Sequence, residues 1–284
     1  MREHRSIELT MGNGEKVRGD YRFTVEDGPT VATSPVPAPV VVFAHGLGST
    51  RTGEKVMAFE AECARRGWGL MAADFRGHGE SDGKMVELSG ARLLEDLCAI
   101  VAEARGLAGG PLLLVGSSMG GWATAWLATS SPAPLAQIDA CVLIAPALRF
   151  FDWIEMDDEA RRQWERTGRH RLRSGYIDLE LGYQLCADAP LYPYDELLAR
   201  FTRPAIIFHG MRDETIPYQL SLDFVERCVG TRLELCLSRE GDHRLLPYKD
   251  RMARESCEFF AGICRESSQL GEPVDRLSEA GSEK

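Results

Sequence analysis

LLLVGSSMGGW, residues 112–122, decides how the rest of this chain is read. Apolar strand-formers run into Gly116-Ser117-Ser118-Met119-Gly120, and a helix-forming stretch, GGWATAWLA, follows at once. A G-x-S-x-G pentapeptide between a strand and a helix marks a turn so sharp that small residues must flank it, and its central serine projects above the sheet. That serine is Ser118 and not Ser117. Gly and Ser are common, so the pentapeptide gains its weight from its place between the two elements.

The flanking chain has the texture of an α/β protein. VVVFA (40–44), WGLMAAD (68–74), PLLLV (111–115), ACVLIA (140–145), PAIIFHG (204–210) and LELCL (233–237) are short apolar runs without alternation. Such runs suit strands buried on both faces. Between them, EKVMAFEAECARR (54–66) and ARLLEDLCAIVAEAR (91–105) repeat apolar residues at helical spacing. This alternation predicts a mostly parallel twisted sheet covered by helices on both faces, with its site outside the carboxyl ends of the strands. Residues 6–24 predict two further strands around a Gly-Asn-Gly turn, and 26–39 a proline-rich connection. Residues 146–200 hold no buried strand pattern, and MDDEARRQWERTGRHRLR (156–173) predicts a helix with an acidic start and a basic end. The expected organisation is a core of residues 1–145 and 201–265, an inserted helical cap over 146–200, and a polar, disordered tail over 266–284.

Composition narrows the function classes. Lys and Arg number 33 against 43 Asp and Glu, a net charge of −10, so no overall basic field draws the chain to nucleic acid or anionic membrane. A small-molecule substrate is the better expectation. The eight cysteines are scattered through apolar segments with no Cys-x-x-Cys, which predicts reduced core residues and no metal. The start of the chain carries no apolar stretch of the roughly 7–15 residues a secretory signal needs, and no run approaches the ~20 residues of a membrane span. The expected compartment is the cytoplasm, and no cofactor is expected.

A serine hydroxyl becomes a nucleophile when a base takes its proton. Of the six histidines, His4 is terminal, His170 lies among arginines, His78 sits in the glycine-rich DFRGHGESDG, and His209 closes a buried strand. His243, in REGDHRLL, lies between the last strand and the last helix, on the active edge of the sheet, and is the candidate base. Asp213, in HGMRDETIP, follows a strand end and is the candidate acid, with Asp242 and Glu214 as ordinary loop carboxylates nearby. The order Ser118, Asp213, His243 is the one this strand-turn-helix arrangement calls for. An oxyanion hole needs two N–H donors. Met119 N–H follows the nucleophile, and Leu47 N–H in His45-Gly46-Leu47-Gly48 supplies the second. His45 either shapes that loop or takes part in the site.

Through HGLGS, DFRGHGESDG, GSSMGG, HGMRDETIP and GDHRL, residues 40–264 resemble the α/β-hydrolase family, most closely the branch of palmitoyl-protein thioesterases, also known as acyl-glucuronide esterases. The resemblance implies the α/β-hydrolase fold, with Ser118 as nucleophile, Asp213 as acid and His243 as base. It implies a serine esterase or thioesterase that works through an acyl-enzyme on a small acyl ester. An acyltransferase, or a binding homologue without turnover, are the competing readings. Eight aromatics, including Phe150, Trp153 and Trp164, cluster in 146–200. They either build the cap's own core or roof an acyl pocket. Arg169 and Arg171 belong to a local basic cluster, read either as a solvated helix face or as recognition of an anionic leaving group.

Overall fold

Successive residues of a strand point to opposite faces, so a run with no polar position needs cover on both sides. A computed structural model of the chain, described here over residues 2–24, 38–129, 138–150, 156–173, 177–229 and 232–270, supplies that cover. In β3 (Val40–Ala44), Val40, Val42 and Ala44 enter one hydrophobic cluster while Val41 and Phe43 enter another. In β5 (Leu112–Ser117), Leu112 and Leu114 divide from Leu113 and Val115 in the same way. One face is closed by α1 (Glu54–Arg66) and α8 (Lys249–Leu270), the other by α2 (Gly90–Ala108), α3 (Met119–Ala128) and α7 (Gln219–Arg227).

Among the described residues the sheet has eight strands. β1 (Arg2–Thr10) and β2 (Lys16–Thr24) form an antiparallel hairpin, and β2 runs antiparallel to β4 (Gly69–Ala73). From there β4, β3, β5, β6 (Ile138–Ile144), β9 (Ala205–Gly210) and β10 (Leu233–Ser238) are parallel and lie side by side in that order. The chain steps from β3 outward to β4, then returns past β3 to β5. The strand order therefore reverses between β3 and β5, and at such a switch point the loops leaving the carboxyl ends part to form a crevice. Those loops carry His45 and Ser118.

Between β6 and β9 lie α4 (Asp158–Thr167), a two-stranded antiparallel sheet of β7 (Arg169–Arg173) and β8 (Asp178–Gly182), α5 (Gln184–Ala187) and α6 (Tyr194–Arg200). The expected single helix over 156–173 is corrected here. Asp157 caps α4 by accepting the Ala160 N–H at 2.7 Å, but Gly168 adopts a left-handed φ of 71° and stops the helix. Beyond it, Arg-His-Arg-Leu-Arg alternates with the period of a strand, arginines outward and His170 and Leu172 inward. Nor is LELCL buried on both faces. Among the described residues β10 is an edge strand, paired with β9 alone, and its side chains stay partly exposed. Helix α8 runs to Leu270, past the expected start of the tail at 266. Residues 271–284 of that tail, and 25–37 of the proline-rich connection, lie outside the described residues. Among the described residues no helix is long and apolar enough to cross a membrane.

Candidate active site

The turn at the end of β5 is built by contact. A side chain on Gly116 would place its Cβ 2.2 Å from the Gly120 carbonyl oxygen, and one on Gly120 would lie 2.2 Å from that of Ala44. Without side chains there, α3 packs directly against the ends of β3 and β5. Ser118 between them has φ 53° and ψ −114°, a backbone state that costs a non-glycine residue about 1–3 kcal/mol. Its N–H donates to Ile144 O (2.9 Å) and its carbonyl accepts from Ala147 N–H (3.1 Å), which hold it there. Both serines border an open cavity, but Ser117 is buried in β5, at 3% exposure, and it is Ser118 whose hydroxyl meets a histidine.

Three loops converge on the Ser118 hydroxyl. His243 Nε2 lies 3.0 Å from Ser118 Oγ, and His243 Nδ1 lies 2.7 Å from Asp213 Oδ2. Asp213 is fixed by the N–H groups of Thr215 (2.9 Å) and Ile216 (2.8 Å) on its other oxygen. An ionised carboxylate only accepts, so His243 Nδ1 carries the hydrogen and Nε2 is left bare to face the serine. Asp242 and Glu214 are exposed, and Asp242 accepts the Leu245 N–H (2.8 Å) in its own loop.

Behind the acid sits a residue whose part the sequence reading missed. His209, fully buried, lies 3.1 Å from Asp213 Oδ2 and 3.0 Å from the Ile216 carbonyl through Nε2, and 2.7 Å from Ser221 Oγ through Nδ1. Two acceptors face Nε2, so the hydrogen is there, and Nδ1 accepts from the Ser221 hydroxyl. Burial alone would raise Asp213, but the hydrogen bonds from His209 and His243 outweigh it and hold the carboxyl well below the usual carboxylate range. The four-residue spacing of His209 and Asp213 across a strand end was the available signal.

A cavity of about 300 Å³ opens over Ser118. Leu47 and Gly46 form part of its wall, with Phe43, Phe150, Ile177 and Ile216 supplying apolar surface. Met119 is buried at the start of α3, one residue past Ser118. His45 also lines the cavity, and its ring is held within the loop. It accepts the Phe75 N–H at Nε2 (3.1 Å), which leaves Nδ1 to donate to Gly46 O (2.8 Å), and burial pushes its pKa down. His78 packs edge-on against it with ring centroids 5.0 Å apart. His4 keeps its side chain half in solvent and meets Asp20 at 2.8 Å on the hairpin.

The tentative cap residues part company. Phe150 lines the cavity. Trp164 does not: it is buried in the inserted segment against His170 and Tyr183. Trp153 lies outside the described residues. Arg169 and Arg171 stand on β7, exposed, paired with Glu180 (3.0 Å) and Asp178 (2.7 Å), and neither borders the cavity. Two cations not singled out from the sequence do border it, Lys55 and Arg244. Among the described residues no cluster of His, Cys, Asp and Glu could hold a metal ion, and no disulfide forms.

Comparison with known proteins follows the same line. The family described as serine aminopeptidase, S33, matches residues 35–164. The mouse protein named palmitoyl-protein thioesterase ABHD10, mitochondrial, is 29% identical over 243 residues, covering 84% of this chain and 76% of its own. A crystallised protein from Agrobacterium vitis S4 superposes with a TM-score of 0.78 at 27% identity, over 91% of this chain and 99% of its own. The structure of mouse alpha/beta hydrolase domain-containing protein 10 gives a TM-score of 0.67 at 25% identity, over 94% and 98%. The chain has the α/β-hydrolase fold and resembles the palmitoyl-protein thioesterase branch.

Proposed function

We propose that this α/β-hydrolase chain is a serine esterase or thioesterase that works through an acyl-enzyme. The observation that carries this reading is the relay from Asp213 through His243 to Ser118, with links of 2.7 and 3.0 Å, at the edge of a cavity with apolar walls. Thioesterase activity in the mouse relative, as its name has it, is consistent with this chemistry.

In the proposed reaction Ser118 Oγ attacks the carbonyl carbon while His243 Nε2 takes the hydroxyl proton. The charge that develops on the carbonyl oxygen is met by the N–H groups of Leu47 and Met119. Asp213, kept ionised by its four hydrogen-bond donors, stabilises the imidazolium. His243 then protonates the departing alcohol or thiol. Water, deprotonated by the same nitrogen, attacks the acyl-enzyme, and collapse of the second tetrahedral intermediate frees the acid and restores Ser118.

A fluorophosphonate probe tests this reading. It should label the wild-type protein at Ser118, leave Ser118→Ala unlabelled, and label Ser117→Ala normally. Ester hydrolysis by Ser118→Ala should fall by at least about 10³. Loss of labelling in Ser117→Ala instead would show that the nucleophile is misassigned.

A further inference from the structure

His243 stands on a loop that the fold holds against its own backbone preference. Leu245, two residues past the base, is left-handed at φ 53° and ψ 25°, a state that bulky side chains rarely take. A residue of this kind persists where its surroundings over-determine it. Within the loop, Leu245 N–H donates to Asp242 Oδ1 (2.8 Å), Gly241 N–H donates to Ser238 O (3.0 Å), and the Leu245 side chain is buried. Between His243 and Leu245 a further pin comes from a different element. Lys55 Nζ, on the second residue of α1, donates to the Arg244 backbone carbonyl at 3.1 Å.

The start of α1 is continuous with the loop that carries Leu47. Leaving β3, the chain makes two successive turns, Ser49 N–H to Gly46 O and Gly53 N–H to Thr50 O, each at 3.1 Å, and Met57 N–H then donates to Gly53 O (3.1 Å) to open the helix. Lys55 therefore moves with the loop of the proposed oxyanion donor, and its bond to Arg244 O joins that loop to the loop of the base. Both Lys55 and His243 line the cavity. Burial, with Arg244 adding to it and Asp242 and Asp213 opposing, pushes Lys55 down to about 8, which leaves it a cation at neutral pH. A charged donor makes a shorter and stronger bond than a neutral one.

We propose that Lys55 is a positioning residue, which clamps the His243 loop to the Leu47 loop through the Arg244 carbonyl and so fixes the base relative to the oxyanion donor. The proposal rests on the esterase reading for its effect on rate, whereas the clamp itself belongs to the resting protein. Lys55 acts here through loop backbone, so its loss should misplace His243 without removing a binding contact. Misplacement of a reacting group by about 1 Å can cost on the order of 100-fold in rate. A defect of orientation appears in kcat, and a lost binding contact appears in KM.

Steady-state kinetics with para-nitrophenyl butanoate and proton NMR of the full chain test it together, with thermal melts to confirm folding. Lys55→Met, which keeps the stem and removes the donor, should lower kcat about 10–100-fold and leave KM within about twofold. Lys55→Arg, which keeps a charged donor on a long stem, should return kcat to within about threefold of the wild type. The proton that His243 Nδ1 shares with Asp213 Oδ2, across 2.7 Å, gives a low-field resonance. That resonance should shift and broaden in Lys55→Met and return in Lys55→Arg. Should Lys55→Met fail to fold, Lys55→Gln, whose amide stops one bond short of the carbonyl, is read in the same way. Wild-type kcat in the folded variant, an unmoved resonance, a loss carried by KM, or one that Lys55→Arg does not restore each overturns the proposal. A protein that hydrolyses no ester and escapes the fluorophosphonate would overturn the esterase reading instead, and the resonance, which needs no turnover, would still decide the clamp.

Discussion

Gly120→Ala should disable this protein far out of proportion to the methyl group it adds. The new Cβ would stand 2.2 Å from Ala44 O and 2.6 Å from both Ala44 C and His45 O, where real contacts do not fall below 3.0 Å. All three are backbone atoms, which cannot swing aside, so α3 must retreat from β3 by roughly 0.8 Å. The start of α3 carries Ser118 and the Met119 N–H, and the end of β3 leads to the Leu47 N–H. The retreat therefore separates the two proposed oxyanion donors. A misplacement of about 1 Å can cost on the order of 100-fold, and loss of one oxyanion donor about 10²–10³. The overpacking itself should cost about 1–3 kcal/mol of stability. Gly67→Ala is the matched control: it strains a left-handed residue at φ 71° by about 1–2 kcal/mol but meets nothing within 4 Å and lies far from the site in sequence. Steady-state hydrolysis of para-nitrophenyl butanoate and thermal melts of both variants provide the readout. Gly120→Ala should lose about 10²–10³ in kcat, and Gly67→Ala should keep kcat within about twofold at a comparable loss of Tm. Equal activity in the two variants would refute the claim that close apposition of β3 and α3 forms the oxyanion hole.

Asp213→Asn should fold, since Thr215 and Ile216 can still donate to the amide oxygen, yet slow turnover by as much as about 10⁴, with Asp242→Asn costing far less. The reverse ranking at unchanged Tm would move the acid to Asp242. His78 gives a pH dependence: burial first, then the neighbouring His45, pushes its pKa from 6.5 down to about 3. The unfolded chain thus takes up a proton below pH 6.5 that the folded chain refuses, so this stability is complete above 6.5 and is lost as pH falls toward 3, at most about 5 kcal/mol. His78→Gln should flatten that part of the denaturant-stability profile between pH 6.5 and 4, and an unchanged slope would remove His78 as the source. Replacing Arg169 and Arg171 by Ala should leave kcat/KM alike for charged and neutral esters, because both side chains are exposed and spent on Glu180 and Asp178; a loss confined to anionic substrates would return β7 to the site.

Strands such as VVVFA and LLLVGS were legible because burial on both faces demands an unbroken apolar run, and that demand is local. Ser118, Asp213 and His243 were legible as residue types at strand ends, since a parallel sheet gathers those ends along one edge. Gly168 was the limit of the helical reading over 156–173. Charge order along the segment suggested a single dipole, whereas the left-handed state of one glycine set the boundary and the five residues after it took a strand's period. LELCL looked like its neighbours because an edge strand of a covered sheet keeps much of their composition while losing half their cover. Lys55 had no signal at all. A lysine in the first turn of an amphipathic helix is ordinary, and only the approach of the Arg244 carbonyl, 189 residues away, brings it into the cavity wall. His45 is tied into its loop by a contact to Phe75, thirty residues off, that spacing alone does not encode.

The acyl-enzyme is the species on which this account turns, and intact-protein mass spectrometry can observe it. Asp213→Asn, mixed with para-nitrophenyl butanoate and quenched in acid within seconds, should gain the mass of one butanoyl group, because the impaired His243 slows activation of water after the activated ester has acylated the serine. Peptide mapping should place that mass on Ser118, and the double variant with Ser118→Ala should gain none. A butanoyl group on Ser117, or on any residue other than Ser118 in protein that is turning over the ester, would contradict the account.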